Sequence, residues 1–231
     1  TASSASKATA GTPRLANAYA AVRPAGPPPS TATGAPSIEL GIPNYPSFRL
    51  RALLSVIVPA TDAPPTLGRC LAALRAAAPQ DAEIIVVSEP PGAGPAAARN
   101  AGAARARGEI LAFVDADVVV HPDALARLEA AFAGDPQPVA VFGAYDAQPE
   151  APGLVSRFRN LLHHHVHASE PGEARTFWAG LGAVRRDAFE AVGGFDARRF
   201  PRPAVEDIDL GMRLRAAGGR ILLDPAIQGT H

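Results

Sequence analysis

Residues 109–117 read Glu109-Ile110-Leu111-Ala112-Phe113-Val114-Asp115-Ala116-Asp117, an apolar run that ends in two carboxylates. The apolar part is typical of a buried β-strand. Because side chains alternate along a strand, we expect Asp115 and Asp117 to project together where the strand ends. Two like charges at that distance repel each other unless a cation lies beside them. Mg²⁺ or Mn²⁺, which prefer oxygen ligands and bind phosphates, suit such a pair best.

Strand and helix patterns alternate on both sides of this stretch. The patterns predict strands at 53–58, 83–87, 110–114, 139–143, 176–184 and 221–223. They predict helices around 67–74, at 94–107, from His121-Pro122-Asp123 onward, at 154–168 and at 206–217. Such alternation indicates an α/β fold with a mostly parallel sheet flanked by helices. Ligands of such folds bind beyond the carboxyl ends of the strands, where Asp115 and Asp117 are expected.

Residues 1–48 differ in composition from the remainder. They are rich in Ala, Pro, Ser, Thr and Gly, include Pro27-Pro28-Pro29, and have almost no periodic apolar residues. Such a segment cannot bury enough surface to offset its ordering entropy, so we predict a disordered arm or linker. An interaction arm is the alternative. The catalytic or binding domain is then expected at residues 49–231.

Composition excludes some classes of partner and site. The 22 basic and 22 acidic residues give a formal charge of zero, so no basic field indicates a nucleic-acid partner. Cys70 is the single cysteine, which excludes a disulfide framework and a thiolate metal site and fits a reducing compartment. No apolar run approaches the roughly 20 residues needed to cross a bilayer. We expect a cytoplasmic protein, with a peripheral position at the inner face of the membrane as the alternative.

Five motifs occur in one order along the chain. They are Ser55-Val56-Ile57-Val58-Pro59, Ala98-Arg99-Asn100-Ala101-Gly102, Gly108 to Asp117, Val192-Gly193-Gly194-Phe195-Asp196 and Glu206-Asp207-Ile208-Asp209-Leu210. In this order they resemble the family 2 glycosyltransferases of the GT-A fold, over about residues 50–231. The resemblance implies a Rossmann-like nucleotide-diphospho-sugar transferase domain. It also implies a metal-dependent enzyme that transfers a sugar from a nucleotide-diphosphate donor to an acceptor hydroxyl with inversion.

The resemblance assigns roles to the acidic residues. Asp117 matches the metal-binding aspartate of the Asp-x-Asp motif, and Asp115 beside it faces the metal or the nucleotide ribose. Asp207 matches the general base, with Glu206 as its neighbour in the catalytic pair. The reaction needs such a base, because an acceptor hydroxyl is a poor nucleophile until a carboxylate takes its proton. The alternative for Glu206 and Asp207 is stabilisation of a helix N-terminus.

The donor site is predicted at the ends of the first strands. Pro59 and Thr61 follow the first strand, and Arg99 matches a position near the donor nucleotide or diphosphate, with an ion pair to a neighbouring acid as its alternative. The second strand ends in Ser88-Glu89-Pro90-Pro91, where relatives carry an Asp-rich turn whose acid reads the nucleobase. Glu89 can substitute for that acid. The nucleotide is therefore expected to be UDP first, with GDP and dTDP as alternatives.

Three further residues are assigned by position. His231 matches a region where many GT-A enzymes supply another metal ligand; a dangling terminus is the alternative. Trp178 and Gly180 resemble the acceptor-lining strand, where an aromatic face stacks on a sugar and glycine allows close approach. The alternative for Trp178 is core packing. The acceptor itself, a saccharide or a lipid-linked molecule, is not identified, and family helices usually follow, so we expect the natural chain to continue past His231.

The predicted helix at 154–168 carries the run His163-His164-His165-Val166-His167. His163 and His167 share a helix face at the spacing of helical zinc pairs, but no Glu or Cys completes such a set. We predict a polar face near the acceptor site rather than a metal centre. The apolar spacing of Val155, Phe158, Leu162 and Val166 predicts a buried stripe.

Two other function classes remain at this point. A sugar nucleotidyltransferase of related fold typically carries a Gly-rich, basic loop after its first strand, and residues 59–65 contain neither Gly nor Lys. A non-catalytic scaffold or nucleotide-binding domain is the second class. The intact Asp115, Asp117 and Asp207 weigh against it, because holding like charges together is costly.

Overall fold

The computed structural model describes residues 53–134, 137–150 and 153–231, so the predicted arm at 1–48 lies outside the described residues. Eight strands are present in this part of the chain: β1 (Leu54–Pro59), β2 (Glu83–Val87), β3 (Ile110–Val114), β4 (Val119–Val120), β5 (Pro138–Tyr145), β6 (Gly172–Ala174), β7 (Leu181–Arg185) and β8 (Arg220–Thr230). Six helices accompany them: α1 (Leu67–Ala77), α2 (Pro95–Arg105), α3 (Ala124–Gly134), α4 (Leu154–Ser169), α5 (Arg186–Ala191) and α6 (Glu206–Ala216).

The strands form one sheet in the order β2-β1-β3-β7-β5-β8-β4, with β6 paired to β8. β1 is parallel to β2 and β3, β5 is parallel to β8, and β7 lies antiparallel between β3 and β5. Five strands, β1, β2, β3, β5 and β8, therefore run in one direction. The predicted α/β class with a helix-flanked sheet is confirmed, and its carboxyl-end edge is where the acidic motifs lie.

Some predicted boundaries were wrong, for local reasons. The strand expected at 176–184 begins only at Leu181, because residues 175–180 form bends and a turn. The strand expected at 221–223 continues to Thr230, past Pro225, through an irregularity in its pairing with β5. Proline lacks a ladder donor, and the break in register accommodates it. Pro122 lies in the turn before α3 rather than in its first turn.

The core has one large apolar cluster on each face of the sheet, and a small third cluster of Ile85, Val87 and Ala98 lies between β2 and α2. Successive residues of β1 point to opposite faces of the sheet. Val56 and Val58 pack with α1 and α3 on one face, whereas Ile57 packs with α2 and α6 on the other. The strands are apolar on both faces because helices cover both. Among the described residues, no helix combines the length and the apolar character needed to span a bilayer.

Candidate active site

The two aspartates of the Asp-x-Asp motif leave the sheet in a turn. β3 ends at Val114, and the Val118 N–H donates to the Asp115 carbonyl oxygen at 3.0 Å. The side chains then have different partners: Asp115 bonds Arg99, and Asp117 contacts His231. The structure brings both carboxylates to the carboxyl end of β3, as predicted, but gives each its own cationic or imidazole neighbour.

A buried arginine joins the two acidic motifs. Arg99, on α2, donates from Nη2 to Asp115 Oδ1 at 2.6 Å and from Nη1 to Glu206 Oε1 at 2.8 Å. The side chains of Arg99 and Glu206 are only 5% and 6% exposed, and the guanidinium lies 5.4 Å from the centre of the Phe195 ring. We call this arrangement the Arg99 bridge. Its two Nη atoms face carboxylates, as the ion-pair alternative for Arg99 expects, and the contact with a donor diphosphate stays a prediction.

Asp207 and Glu206 differ in what their carboxylates contact. Glu206 accepts from Arg99 with one oxygen and from the Ala204 N–H with the other, at 2.9 Å, and is buried. Asp207 is half-buried and accepts from the Ile208 N–H at 2.8 Å and the Ala179 N–H at 3.3 Å. Burial raises the pKa of Asp207, against the opposing effects of the Ala179 N–H and Arg99. A raised pKa makes the Asp207 carboxylate a stronger base than an ordinary aspartate.

Residues from three parts of the chain hold His231, the last residue of the sequence, in place. Its Nε2 lies 3.3 Å from Asp117 Oδ2, and its ring stacks on Tyr145 with centroids 4.8 Å apart. Its carbonyl oxygen accepts from the Glu150 N–H and from Asn160 Nδ2. The hydrogen bond between the two side chains lowers the pKa of Asp117 and raises the pKa of His231. The dangling-terminus alternative for His231 does not match these contacts.

A second polar network fixes the strand that carries His231. Asp146 is buried and bonds His121 Nε2 at 2.9 Å, the Thr230 hydroxyl and the Gln148 N–H at 2.8 Å. Burial tends to raise the pKa of Asp146, but the bonds from Thr230, His121 and Gln148 hold it below its ordinary value. The network therefore joins the ends of β5 and β8 beside the Asp117–His231 pair.

The Asp117–His231 pair fits part of a divalent-metal site. Two ligand atoms 3.3 Å apart can both reach one ion at the roughly 2.1 Å typical of Mg²⁺–oxygen bonds. Within the described ranges, no third His, Cys, Asp or Glu completes a cluster, and Asp115 is held by Arg99 instead. Mg²⁺ commonly takes one or two carboxylates and fills its remaining positions with substrate phosphates and water. Asp117 and His231 are thus the residues that would hold the ion.

The predicted donor-site residues lie at neighbouring strand ends. Pro59 closes β1, and the Thr61 hydroxyl after it donates to the Ala93 carbonyl oxygen. The Gly92 N–H donates to the Thr61 carbonyl oxygen at 2.9 Å, so the loops after β1 and β2 are tied together. Glu89 is exposed in the second of these loops. Together with Asp115, these residues line the carboxyl-end edge of β1, β2 and β3.

Trp178 belongs to an aromatic cluster. Its ring centroid lies 4.3 Å from that of His163, 4.9 Å from Tyr145 and 5.5 Å from His167. Trp178 and Gly180 stand in the turn before β7, not on a strand as predicted. A Cβ on Gly180 would lie 2.4 Å from the Trp178 ring, so glycine is needed for the ring to fold onto the backbone. The Asp115 N–H donates to the Gly180 carbonyl oxygen, which ties this turn to the acidic motif.

Helix α4 packs through its polar side. His164 and His167 donate from Nδ1 to the carbonyl oxygens of Tyr145 and Gly143, at 2.7 and 3.1 Å. Burial lowers the pKa of His163 to about 3. The predicted buried stripe was wrong, because these side chains pair with carbonyls of β5 and turn the apolar side outward: Val155, Phe158, Leu162 and Val166 are 65%, 63%, 48% and 43% exposed. The side of α4 that carries these histidines is a polar face, as predicted, and it packs against β5.

Sequence reasoning missed Tyr145, Asp146 and His121 as site residues. Tyr145 stacks on His231, and Asp146 bonds His121. The available signal was their place just beyond the predicted strand at 139–143, at the same edge as Asp115.

Comparison with known proteins identifies relatives. Residues 88–193 match the family model "Glycosyl transferase family 2". The pre-mycofactocin glycosyltransferase of Mycobacterium tuberculosis is 31% identical over 156 residues, which are 64% of this chain and 32% of that protein. The succinoglycan biosynthesis protein ExoM of Rhizobium meliloti is 32% identical over 177 residues, 76% of this chain and 55% of that protein. The chain thus spans between a third and just over half of the length of these relatives.

Two solved structures share the fold. The mannosyltransferase PcManGT from Pyrobaculum calidifontis, in complex with GDP-Man and Mn²⁺, superposes with a TM-score of 0.57 at 20% identity, over 79% of this chain and 57% of that one. GalNAc-T7 with UDP, GalNAc and Mn²⁺ gives 0.58 at 17% identity, over 80% and 44%. The family-model match, supported by the two relatives, identifies residues 88–193 as part of a family 2 glycosyltransferase domain, and the two solved structures show that the fold is GT-A.

Proposed function

We propose that this domain transfers a sugar from a nucleotide-diphosphate donor to an acceptor hydroxyl, with inversion and with Mn²⁺ or Mg²⁺. The Arg99 bridge is the observation that carries the proposal. It bonds Asp115, at the donor side, and Glu206, which directly precedes Asp207. The buried guanidinium of Arg99 therefore links the residue next to the candidate base with a residue of the candidate donor site. A domain that only bound a partner would have no need to hold these acids together.

Each acidic residue has a proposed task. Asp207 takes the proton of the acceptor hydroxyl as the acceptor oxygen bonds to the anomeric carbon. The bond from that carbon to the diphosphate breaks on the opposite side, so the configuration inverts and the nucleoside diphosphate leaves. A divalent ion at Asp117 and His231 would neutralise the charge that develops on the leaving diphosphate. Asp115, which Arg99 orients, is the proposed contact to the donor ribose.

The donor nucleotide is proposed as UDP, with GDP and dTDP as alternatives. The two similar structures contain GDP-Man and UDP, each with Mn²⁺, which supports a nucleotide-sugar donor without choosing the base. Glu89, which is exposed in the loop after β2, is the residue proposed to bind the nucleobase. Pro59, at the end of β1, and Thr61, just after it, are the other candidate donor contacts. Trp178 and Gly180 are the candidate acceptor contacts. The acceptor is proposed to be a saccharide or a lipid-linked molecule.

Turnover of nucleotide sugars tests the proposal. With Mn²⁺ and water or a simple sugar as acceptor, we expect one member of a panel of UDP-, GDP- and dTDP-sugars to be consumed, measured as released nucleoside diphosphate. Asp117→Asn should slow this release by about 100-fold or more, because the charge on the leaving group is no longer neutralised. Removal of the metal with EDTA should have the same effect.

Asp81→Asn is the matched control, since Asp81 is an exposed aspartate before β2, at the opposite strand ends from Asp117. This variant should release nucleoside diphosphate at the parent rate. The proposal fails if no donor is consumed, or if Asp117→Asn is as active as the parent protein.

A further inference from the structure

Helix α4 carries most of the exposed large hydrophobic residues of the described part of the chain. There are eight such residues, and six of them lie on α4: Leu154, Val155, Phe158, Leu161, Leu162 and Val166. Leu154 is the most exposed of all, at 84%. Single exposed apolar residues are ordinary, but a contiguous set on one helix marks an interaction surface.

The six residues share one side of the helix. Because an α-helix turns by about 100° per residue, they fall within an arc of about 140°, which also contains the exposed His165 and Ser169. Arg157 lies just outside one edge of this arc and Arg159 just outside the other, and both are exposed. The opposite side holds Asn160, the one buried residue of α4, together with His163, His164 and His167. We call the six hydrophobic residues with Arg157 and Arg159 the α4 surface.

The charge of this helix has one sign. Residues 154–169 contain two arginines and no Asp or Glu. An apolar arc with arginines along both edges is the pattern of a helix that lies in the plane of a bilayer surface. In that position the apolar side chains enter the acyl region, and the arginine side chains extend to the phosphates.

We propose that the α4 surface binds the face of an anionic phospholipid bilayer, with α4 parallel to the membrane plane. A second copy of the chain fits the surface less well. In a two-fold dimer the same patch meets itself, so Arg157 and Arg159 of one copy would face the arginines of the other. Anionic headgroups instead complement both edges of the arc.

The position of α4 connects the membrane surface to the candidate active site. The side of α4 opposite the α4 surface bonds the His231 carbonyl oxygen through Asn160 Nδ2, at 3.2 Å. On the same side, the His163 ring lies 4.4 Å from the Tyr145 ring, which stacks on His231. A bilayer in contact with α4 therefore lies one helix diameter from the Asp117–His231 pair. Vesicle binding requires neither nucleotide nor turnover, so this inference stands apart from the proposed function.

Cosedimentation of the full chain with vesicles tests the proposal. We expect binding to vesicles of equal parts phosphatidylcholine and phosphatidylglycerol, and weaker binding to pure phosphatidylcholine. A triple substitution, Leu154→Ser with Phe158→Ser and Leu162→Ser, should lower the partition coefficient about tenfold or more, because three apolar side chains no longer enter the acyl region. Arg157→Gln and Arg159→Gln should each lower it about fivefold at low salt, and less at high salt.

Met212→Ser is the matched control. Met212 is 61% exposed, close to Phe158, but it lies on α6, so its substitution should leave vesicle binding unchanged. Thermal unfolding checks that the triple variant remains folded, which is expected because all three positions are exposed. The proposal is overturned if the parent protein does not bind anionic vesicles, or if the triple variant binds as well as the parent. Light scattering that shows a dimer broken by the triple substitution, without vesicle binding, would assign the surface to a second copy instead.

Discussion

Arg99→Met is expected to lower the free energy of unfolding by about 3–5 kcal/mol, the cost typical of removing one partner from a buried ion pair. The reason is that Glu206 stays buried at 6% exposure, and Asp115 loses its 2.6 Å partner. Methionine fills much of the space of arginine, so the loss is one of charge pairing rather than volume. Urea unfolding followed by circular dichroism measures it, with the change read from the midpoint at an unchanged slope.

Arg69→Met is the control for the Arg99 substitution. Arg69 also pairs with a glutamate, Glu150, but both side chains are exposed, so the expected loss is below about 1 kcal/mol. Arg99→Lys should fall between the two, because an ammonium keeps the charge but not the fork that bonds two carboxylates. Equal losses in Arg99→Met and Arg69→Met would mean that the Arg99 bridge does not hold the site together.

Asp207→Asn is expected to reduce the turnover rate about 10²- to 10⁴-fold while nucleotide binding is retained, because the acceptor hydroxyl loses its general base. Burial raises the pKa of Asp207. The parent protein carries the charged carboxylate at neutral pH, and burying that charge lowers the stability of the folded state. An amide removes that charge, but its single oxygen can accept from only one of the two N–H groups, of Ala179 and Ile208, that bond Asp207. Because these two effects oppose each other, we expect a melting temperature close to that of the parent.

The pH profile gives an independent readout of Asp207. A base works when deprotonated, so kcat/KM should fall as pH drops through the raised pKa, above the roughly 3.9 of an ordinary aspartate. Asp209→Asn is the matched control, since Asp209 lies in the same first turn of α6 but bonds Arg213 and Arg199. It should keep activity within a few-fold of the parent and lose stability. If both variants lose stability and keep activity, the acids of this turn only stabilise the helix N-terminus.

Much of the fold followed from local patterns in the sequence. The apolar runs at 83–87 and 110–114 became β2 and β3 with the predicted bounds, since strands covered on both faces are continuously apolar. The place of β7 between β3 and β5 was not visible, because its antiparallel pairing depends on residues far apart in the chain. The inward face of α4 was misjudged for a similar reason. Its periodicity fixed which residues share a side, but not which side meets the sheet.

The site was predicted in part. Motif order placed Asp115, Asp117 and Glu206-Asp207 at one edge, and the structure brings Asp115 and Glu206 to the same arginine. The spacing of the motifs did not show that Arg99 is buried between these two acids. A guanidinium group binds phosphate oxygens as well as carboxylates, so both roles were compatible with the sequence. His231 was left open between two interpretations, and its contact with Asp117 could not be predicted because the two residues are 114 positions apart.

Calorimetric titration of UDP, GDP and dTDP, with and without Mn²⁺, is the measurement that bears most directly on the metal-dependent donor site. We expect one nucleotide to bind only when Mn²⁺ is present. The same titration should show at least about tenfold weaker binding in Asp117→Asn and in His231→Ala, because each removes one of the two residues that would hold the ion. Metal-independent binding, or unchanged binding in both variants, would contradict a donor site at Asp117 and His231.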